Sequence, residues 1–267
     1  MRDGVRLYKS MALAALRSQM QYRVSVAMTA LGSFLFTLSD FLGIWALFHR
    51  FGNIKGWGLA EVGLFYGVIQ LSFAIGEGLS FGFDQFSTLV RSGRFDIFLT
   101  RPRSTALQVL GSDFRVDRVG RAFQGLAVIV WSAATVEVAW SFEKVLLLAF
   151  AVVGGVVLTI GLHVLQATVT FWTVETIELF NIITYGGVEA GSYPLSVYRS
   201  WLRQFFIFVV PIACVNYFPL HAILGREDVL GSGPLVQWFS PLAGAVFLGL
   251  ALIAWRFGLR KYASTGS

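Results

Sequence analysis

Charge is scarce in this chain. Asp, Glu, Lys and Arg make up 13% of its 267 residues, against 56% hydrophobic. With a mean hydropathy of +0.69, 25 Phe and 8 Trp, the composition lies outside the range of soluble domains. Cysteine is scarcer still: Cys214 is alone and sits in an uncharged run, which excludes a disulfide framework within the chain. The phosphate cradle G-x-x-x-x-G-K-[ST] is absent, so a nucleotide has no site of the usual kind here. The three histidines, His49, His163 and His221, are far apart. No H-E-x-x-H, G-x-S-x-G or paired-cysteine pattern accompanies them, which argues against an intramembrane enzyme and against a metal site. The opening stretch, MRDGVRLYKSMALAALRSQMQYR, has no compact apolar core followed by a small-residue cleavage site, so no removable signal peptide is expected.

What is present in quantity is uncharged length. Residues 145–174, 229–255 and 204–225 contain no Asp, Glu, Lys or Arg over 30, 27 and 22 positions, and about 20 apolar residues span the hydrocarbon core as a helix. The pattern predicts an all-α polytopic membrane protein, a single transmembrane domain over 1–267. Its six spans are expected near 24–48, 59–83, 122–140, 145–172, 204–224 and 237–257. The segment 226–240, with its glycines, prolines and Trp238, reads as a re-entrant piece before the last span or as a plain loop with Trp238 in the aromatic belt.

The few charges are distributed unevenly. With those spans, seventeen of the 21 Lys and Arg fall on one side, in 1–23, 84–121, 173–203 and the tail. The other side holds Arg50, Lys55, Lys144 and Arg226. By the positive-inside rule both termini are cytoplasmic, and the basic balance needs no nucleic acid to explain it. Within 1–23, Arg6, Ser10, Arg17 and Gln21 share one helical face and Tyr8, Met11, Ala15 and Tyr22 the other. This is the pattern of an amphipathic helix at the inner membrane surface.

The largest cytoplasmic segment, 84–121, holds GRFDIFLTRPRS at 93–104. Gly93 suits a left-handed helix end, Pro102 turns Arg101 away from helix, and Ser104 suits an N-cap. Phe95, Phe98 and Leu99 stand at i, i+3 and i+4, on one side of a helical turn. An apolar face with a charged rim can lie in the lipid interface, plug a groove on a soluble partner, or tuck under its own bundle.

This layout resembles the permease subunits of ATP-binding-cassette transporters, type-two exporter class, in the compact group encoded as pairs beside one ATPase. Two stretches carry the resemblance: GRFDIFLTRP at 93–102 and YPLSVYRSWLRQFFIFVVPIACVNYFPLHAILG at 193–225. It implies a coupling helix built on Gly93, Phe95, Asp96, Phe98, Leu99, Arg101 and Pro102, docked on a separate ATPase present in two copies. It also implies a second permease, identical or related, and location in a bacterial inner membrane among lipids. No cofactor is expected in this chain, ATP and magnesium belonging to the ATPase. The competing class is an ion-coupled secondary transporter, for which inverted repeats would be the sign; none is visible. Other candidate residues follow from cost in lipid. Asp40 and Glu77 read as substrate contacts or as polar clamps between helices, Glu77 lying toward the water boundary. Glu175 and Glu178 read as a cytoplasmic-surface pair, and Pro211 and Pro219 as kinks in the fifth span.

Overall fold

A computed structural model describes residues 2–173, 177–227 and 230–262. Among them there is no strand beyond the isolated bridge of Ile54 with Trp57. Helix α1 (Arg2–Gln19) passes through a tight turn, Met20–Tyr22, into α2 (Arg23–Phe51), and α3 (Leu59–Asp84) follows a short loop. Three short helices, α4 (Phe86–Arg91), α5 (Asp96–Leu99) and α6 (Thr105–Leu110), build the connection to α7 (Val119–Thr135). Then come α8 (Phe142–Val169), α9 (Ile177–Gly191), α10 (Ser200–Gln204), α11 (Ile212–Val215), α12 (Tyr217–Leu224), α13 (Pro234–Phe239) and α14 (Leu242–Lys261).

Four stretches among the described residues are long and apolar enough to cross a bilayer: Ser10–Phe51, Leu59–Arg91, Phe142–Val169 and Leu242–Lys261. The bent pair Ser200–Val209 and Ile212–Leu224 would be a fifth by length and composition. The predicted third and fourth spans shift toward the N-terminus, to α7 and α8. Helix α7 ends at Thr135 because Val136 turns to extended backbone. Helix α8 starts at Phe142, where Ser141 Oγ caps the Lys144 N–H.

Helix α3 is the axis of the bundle. Almost every side chain from Val62 to Phe83 is buried, with α7 packed on one side and α8 on the other. Helix α2 covers α7, and α14 covers α8. Gly63 and Gly67, one turn apart, present no side chain to α7; a Cβ at Gly67 would stand 2.6 Å from the Ile129 side chain. Small residues at this spacing let helix backbones approach where no hydrophobic drive between helices exists in lipid.

The fifth predicted span, 204–224, is not one continuous helix. At its start Trp57 Nε1 donates to Ser196 Oγ at 3.0 Å and Lys55 Nζ to the Val197 carbonyl at 3.3 Å. At its end Arg226 donates to the Gly56 carbonyl at 3.0 Å and pairs with Glu61 at 2.8 Å. Both ends are therefore held by the same loop, between α2 and α3. The segment goes in through α10 and a wide π-type turn, Phe205–Val209, bends by 75°, and comes back out through α11 and α12. Pro211, which has no N–H to continue the ladder, stands at the bend after extended Val210. Pro219 follows a break: non-helical Asn216, between α11 and α12, lies in the turn just before it. Pro219 itself lies in the first turn of α12, where backbone N–H groups have no helical acceptor to lose.

Helix α9 lies against α3. Its Tyr185 hydroxyl reaches Glu77 at 3.2 Å, near the far end of α3. The Gly191 carbonyl accepts from Asn216 Nδ2, which also donates to the Phe65 carbonyl near the start of α3. Helix α9 thus runs antiparallel to α3. The piece at 230–240 is a single helix, α13, leading within two residues into α14.

Candidate functional site

The end of the bundle opposite Trp57 is closed by residues 84–121. Helix α4 stops at Gly93, whose φ of +67° is the left-handed conformation that glycine adopts without strain. Its N–H reaches the Val90 carbonyl at 3.1 Å. The chain then turns Phe95 inward. Phe95 is wholly buried, edge-on to Phe86 at 4.8 Å and to Tyr262 at 5.1 Å between ring centroids, with Phe171 at 6.0 Å and Trp255 at 6.4 Å. Edge-to-face rings at these separations add about 0.5–1.5 kcal/mol per pair beyond area burial. The cluster joins the loop to the last turns of α8 and α14.

Polar bonds fix the same piece. Buried Gln108 donates to the Phe98 carbonyl at 3.1 Å and the Arg103 carbonyl at 3.2 Å, and Trp255 Nε1 donates to Thr105 Oγ1 at 3.2 Å. Tyr262 donates to Asp96 Oδ1 at 2.8 Å. Burial first, and Asp96 second, push the Tyr262 hydroxyl up to about 12. Ser104 stands at the N-cap of α6 without a side-chain cap bond.

What remains outward is Arg94, Ile97 and residues 99–104. Ile97 is 54% and Leu99 44% exposed. The expectation that Phe95 anchors a partner is therefore corrected: it anchors the knuckle to its own bundle, and Ile97 and Leu99 are the apolar side chains offered outward. Phe98 is half-buried and stacks on Phe95. A groove of about 370 Å³ beside it, with Arg94, Arg101 and Asp113 in its walls, is bounded by Met11 of α1. Tyr8 of α1 donates to the Leu79 carbonyl at 3.1 Å, and Gln19 bonds Phe114, which ties α1 to this end.

One turn deeper lies a buried ion network. Glu77 is 2% exposed, not at a water boundary. It pairs with Arg118 at 2.8 Å, accepts from Tyr185, and faces Arg121 at 3.7 Å. Arg121 Nε donates to Gln70 at 2.7 Å and its guanidinium lies 5.4 Å from the Phe73 ring centre. Two guanidinium groups thus compensate one carboxylate inside the bundle, as a buried charge requires. Beside them Ser80 Oγ donates to the Gly76 carbonyl at 2.6 Å and meets His163 Nδ1 at 2.7 Å. The serine has one proton, so the histidine is the donor to it. Ser80 itself leaves helical geometry and kinks α3. Asp84 accepts from Gln166 at 3.2 Å. The network therefore links α3, α7, α8 and α9 just above the knuckle.

The remaining predicted residues lie apart from this network. Asp40 is exposed on α2 and has no hydrogen bond or ion pair among the described residues. Glu175 and the side chain of Glu178 lie outside the described residues. Sequence reading missed Arg118 and Arg121 as partners of Glu77, and Tyr262 and Trp255 as the seat of the knuckle. Their separations along the chain carry no periodic signal.

No group of His, Cys, Asp or Glu among the described residues is arranged to hold a metal ion. No curated protein and no solved structure matches this chain. The sequence model described as ABC-2 family transporter protein matches residues 34–266, which include α3, the knuckle, the ion network and α14. The chain is a multi-pass membrane protein of the ABC-2 transporter family.

Proposed function

We propose that this chain is the permease subunit of an ATP-driven exporter in the inner membrane of a bacterium. A separate ATPase, in two copies, supplies ATP hydrolysis with magnesium, and a second permease, identical or related, completes the path. Family membership supports the permease role and partnership with an ABC ATPase. The asymmetry of Lys and Arg supports placing both termini and the knuckle in the cytoplasm. Six crossings, by α2, α3, α7, α8, α9 and α14, bring the C-terminus back to the side of the N-terminus.

The observation that carries the coupling role is the contrast within 93–104. Phe95 is locked into the aromatic cluster, while Ile97, Leu99 and Arg101 face outward. A push on the outer face passes through Phe95 and Trp255 to α8 and α14, and through the buried ion network to α7 and α9. Packed cores shift between discrete arrangements rather than deform smoothly. A rigid knuckle is therefore suited to switching which side of a path between two permeases is open.

The test is co-purification. The tagged chain extracted from its native membrane is expected to bring an ATP-hydrolysing subunit with it, and Ile97→Asp with Leu99→Asp is expected to lower that recovery at least tenfold. Absence of any associated ATPase from the unaltered chain would sink the reading.

A further inference from the structure

Resting on that reading, and deepening it, the outer half of α9 has features of a ligand site. Glu189 is exposed on α9 and has no hydrogen bond or ion pair among the described residues. Its depth is set by Gly191, which packs against Ile69. Ile69 is ten residues, about 15 Å, along α3 from its start near the Trp57 end. Asp40 lies about 16 Å from the Phe51 end of α2. Carboxylates at such depth are costly against lipid and mark an aqueous path or a partner charge. The two act electrostatically on each other, and Arg121 acts on both.

Glu189 also lines a groove of about 550 Å³ between α9 and the inward limb of the hairpin, a volume in the range of small-molecule sites. Its other walls combine five aromatic rings, Tyr193, Tyr198, Trp201, Phe205 and Phe206, with small and aliphatic residues of α9. Behind it lies a recess of about 10 Å³ that shares Tyr193 and Phe206 and is lined by Asn216. That volume is near the minimum for one water-sized group. Both Asn216 Nδ2 bonds go to backbone carbonyls, and its Oδ1, in a residue only 2% exposed, has no partner. The groove thus offers an unpaired carboxylate and aromatic faces that attract cations, and the residue lining the recess beside it holds an unpartnered buried amide oxygen.

We infer that the α9 groove binds an amphipathic organic cation carrying an N–H donor, a protonated amine on an apolar body, and that this is the class of molecule the permease moves. A bare metal ion would leave the aromatic walls unused, and a neutral lipid tail would leave Glu189 unpaired. The competing occupant is a basic side chain of the second permease.

The experiment uses the full chain with its partner subunits in lipid nanodiscs, titrated at pH 7.5 with fluorescent 9-aminoacridine, a cation with N–H donors. Acridine, uncharged at that pH, is the control, and binding to empty nanodiscs is subtracted. The cation is expected to bind at least tenfold more tightly than acridine. Glu189→Gln is expected to weaken it at least tenfold and Asp40→Asn at least threefold, with the ATPase subunit still co-purifying. Equal affinity for the two probes, or unchanged affinity in Glu189→Gln, overturns the inference. Release of the second permease by Glu189→Gln overturns it too, since the carboxylate then belongs to a protein–protein pair. In each of these failures the ATPase stays associated, which separates them from failure of the permease reading.

Discussion

Tyr262 donates a 2.8 Å hydrogen bond to Asp96 across 166 residues of sequence, so the chain just beyond α14 clasps the knuckle between α3 and α7. Its titration follows from the geometry. The Tyr262 hydroxyl is raised from 10.0 to about 12, by burial first and by Asp96 second. A raised folded value means the bond contributes fully below pH 10 and is lost as pH rises through 12. Tyr262→Phe is expected to lower stability by about 1 kcal/mol at neutral pH. In a tyrosinate absorbance titration it should remove a component near pH 12. Loss of a component near 10 instead would show that the clasp is not formed.

Side chains two and four positions apart on the knuckle should behave in opposite ways. Phe95→Ala removes a wholly buried ring and should cost about 3–5 kcal/mol, seen as a lowered melting temperature of the purified chain. Ile97→Asp and Leu99→Asp change exposed side chains and should stay within about 0.5 kcal/mol of the unaltered stability, while losing the associated ATPase. If Phe95→Ala melts normally, the aromatic cluster is not the seat of the knuckle.

Glu77 answers to two arginines, and its removal should be felt more than an ordinary surface charge. Glu77→Ala leaves Arg118 and Arg121 facing each other in the bundle interior. Breaking a buried pair in this way costs about 3–5 kcal/mol. Adding Arg118→Met should recover part of that loss, because one of the two unpaired charges is then gone. Melting temperatures of the single and double variants decide it, and a double variant no more stable than Glu77→Ala would show that Arg118 is held by something else.

The sequence was legible where physics is local. Apolar runs located α3, α8 and α14 to within a few residues, and Gly93 announced its left-handed turn because few other residues take that backbone easily. It failed where two elements compete for one appearance. Residues 204–225 are uncharged and long enough to cross, so they read as a span, but the doubling back depends on Trp57 and Arg226 meeting at one loop. Helix α9 was overlooked because Glu178 and Glu189 interrupt its hydropathy. Phe95, Phe98 and Leu99 share one side of a turn in sequence, yet only the packing tells which of them points inward. The pairing of Glu77 with Arg118 is tertiary altogether.

The hairpin makes the sharpest topological prediction. Arg199 and Glu227 flank the segment and are both exposed. A membrane-crossing helix between them would put them on opposite faces, whereas a hairpin held by Trp57 and Arg226 keeps them on one. In a Cys214→Ser background, cysteines placed singly at Arg199, Glu227 and Thr100 can be reacted with a membrane-impermeant maleimide on intact cells. Arg199→Cys and Glu227→Cys should both react from outside, and Thr100→Cys, on the knuckle, only after the membrane is opened. Reaction of Glu227→Cys alone would restore 204–224 as a crossing, and α9 would then have to end on the side where it began. That arrangement would break the Asn216 bonds to the Phe65 and Gly191 carbonyls.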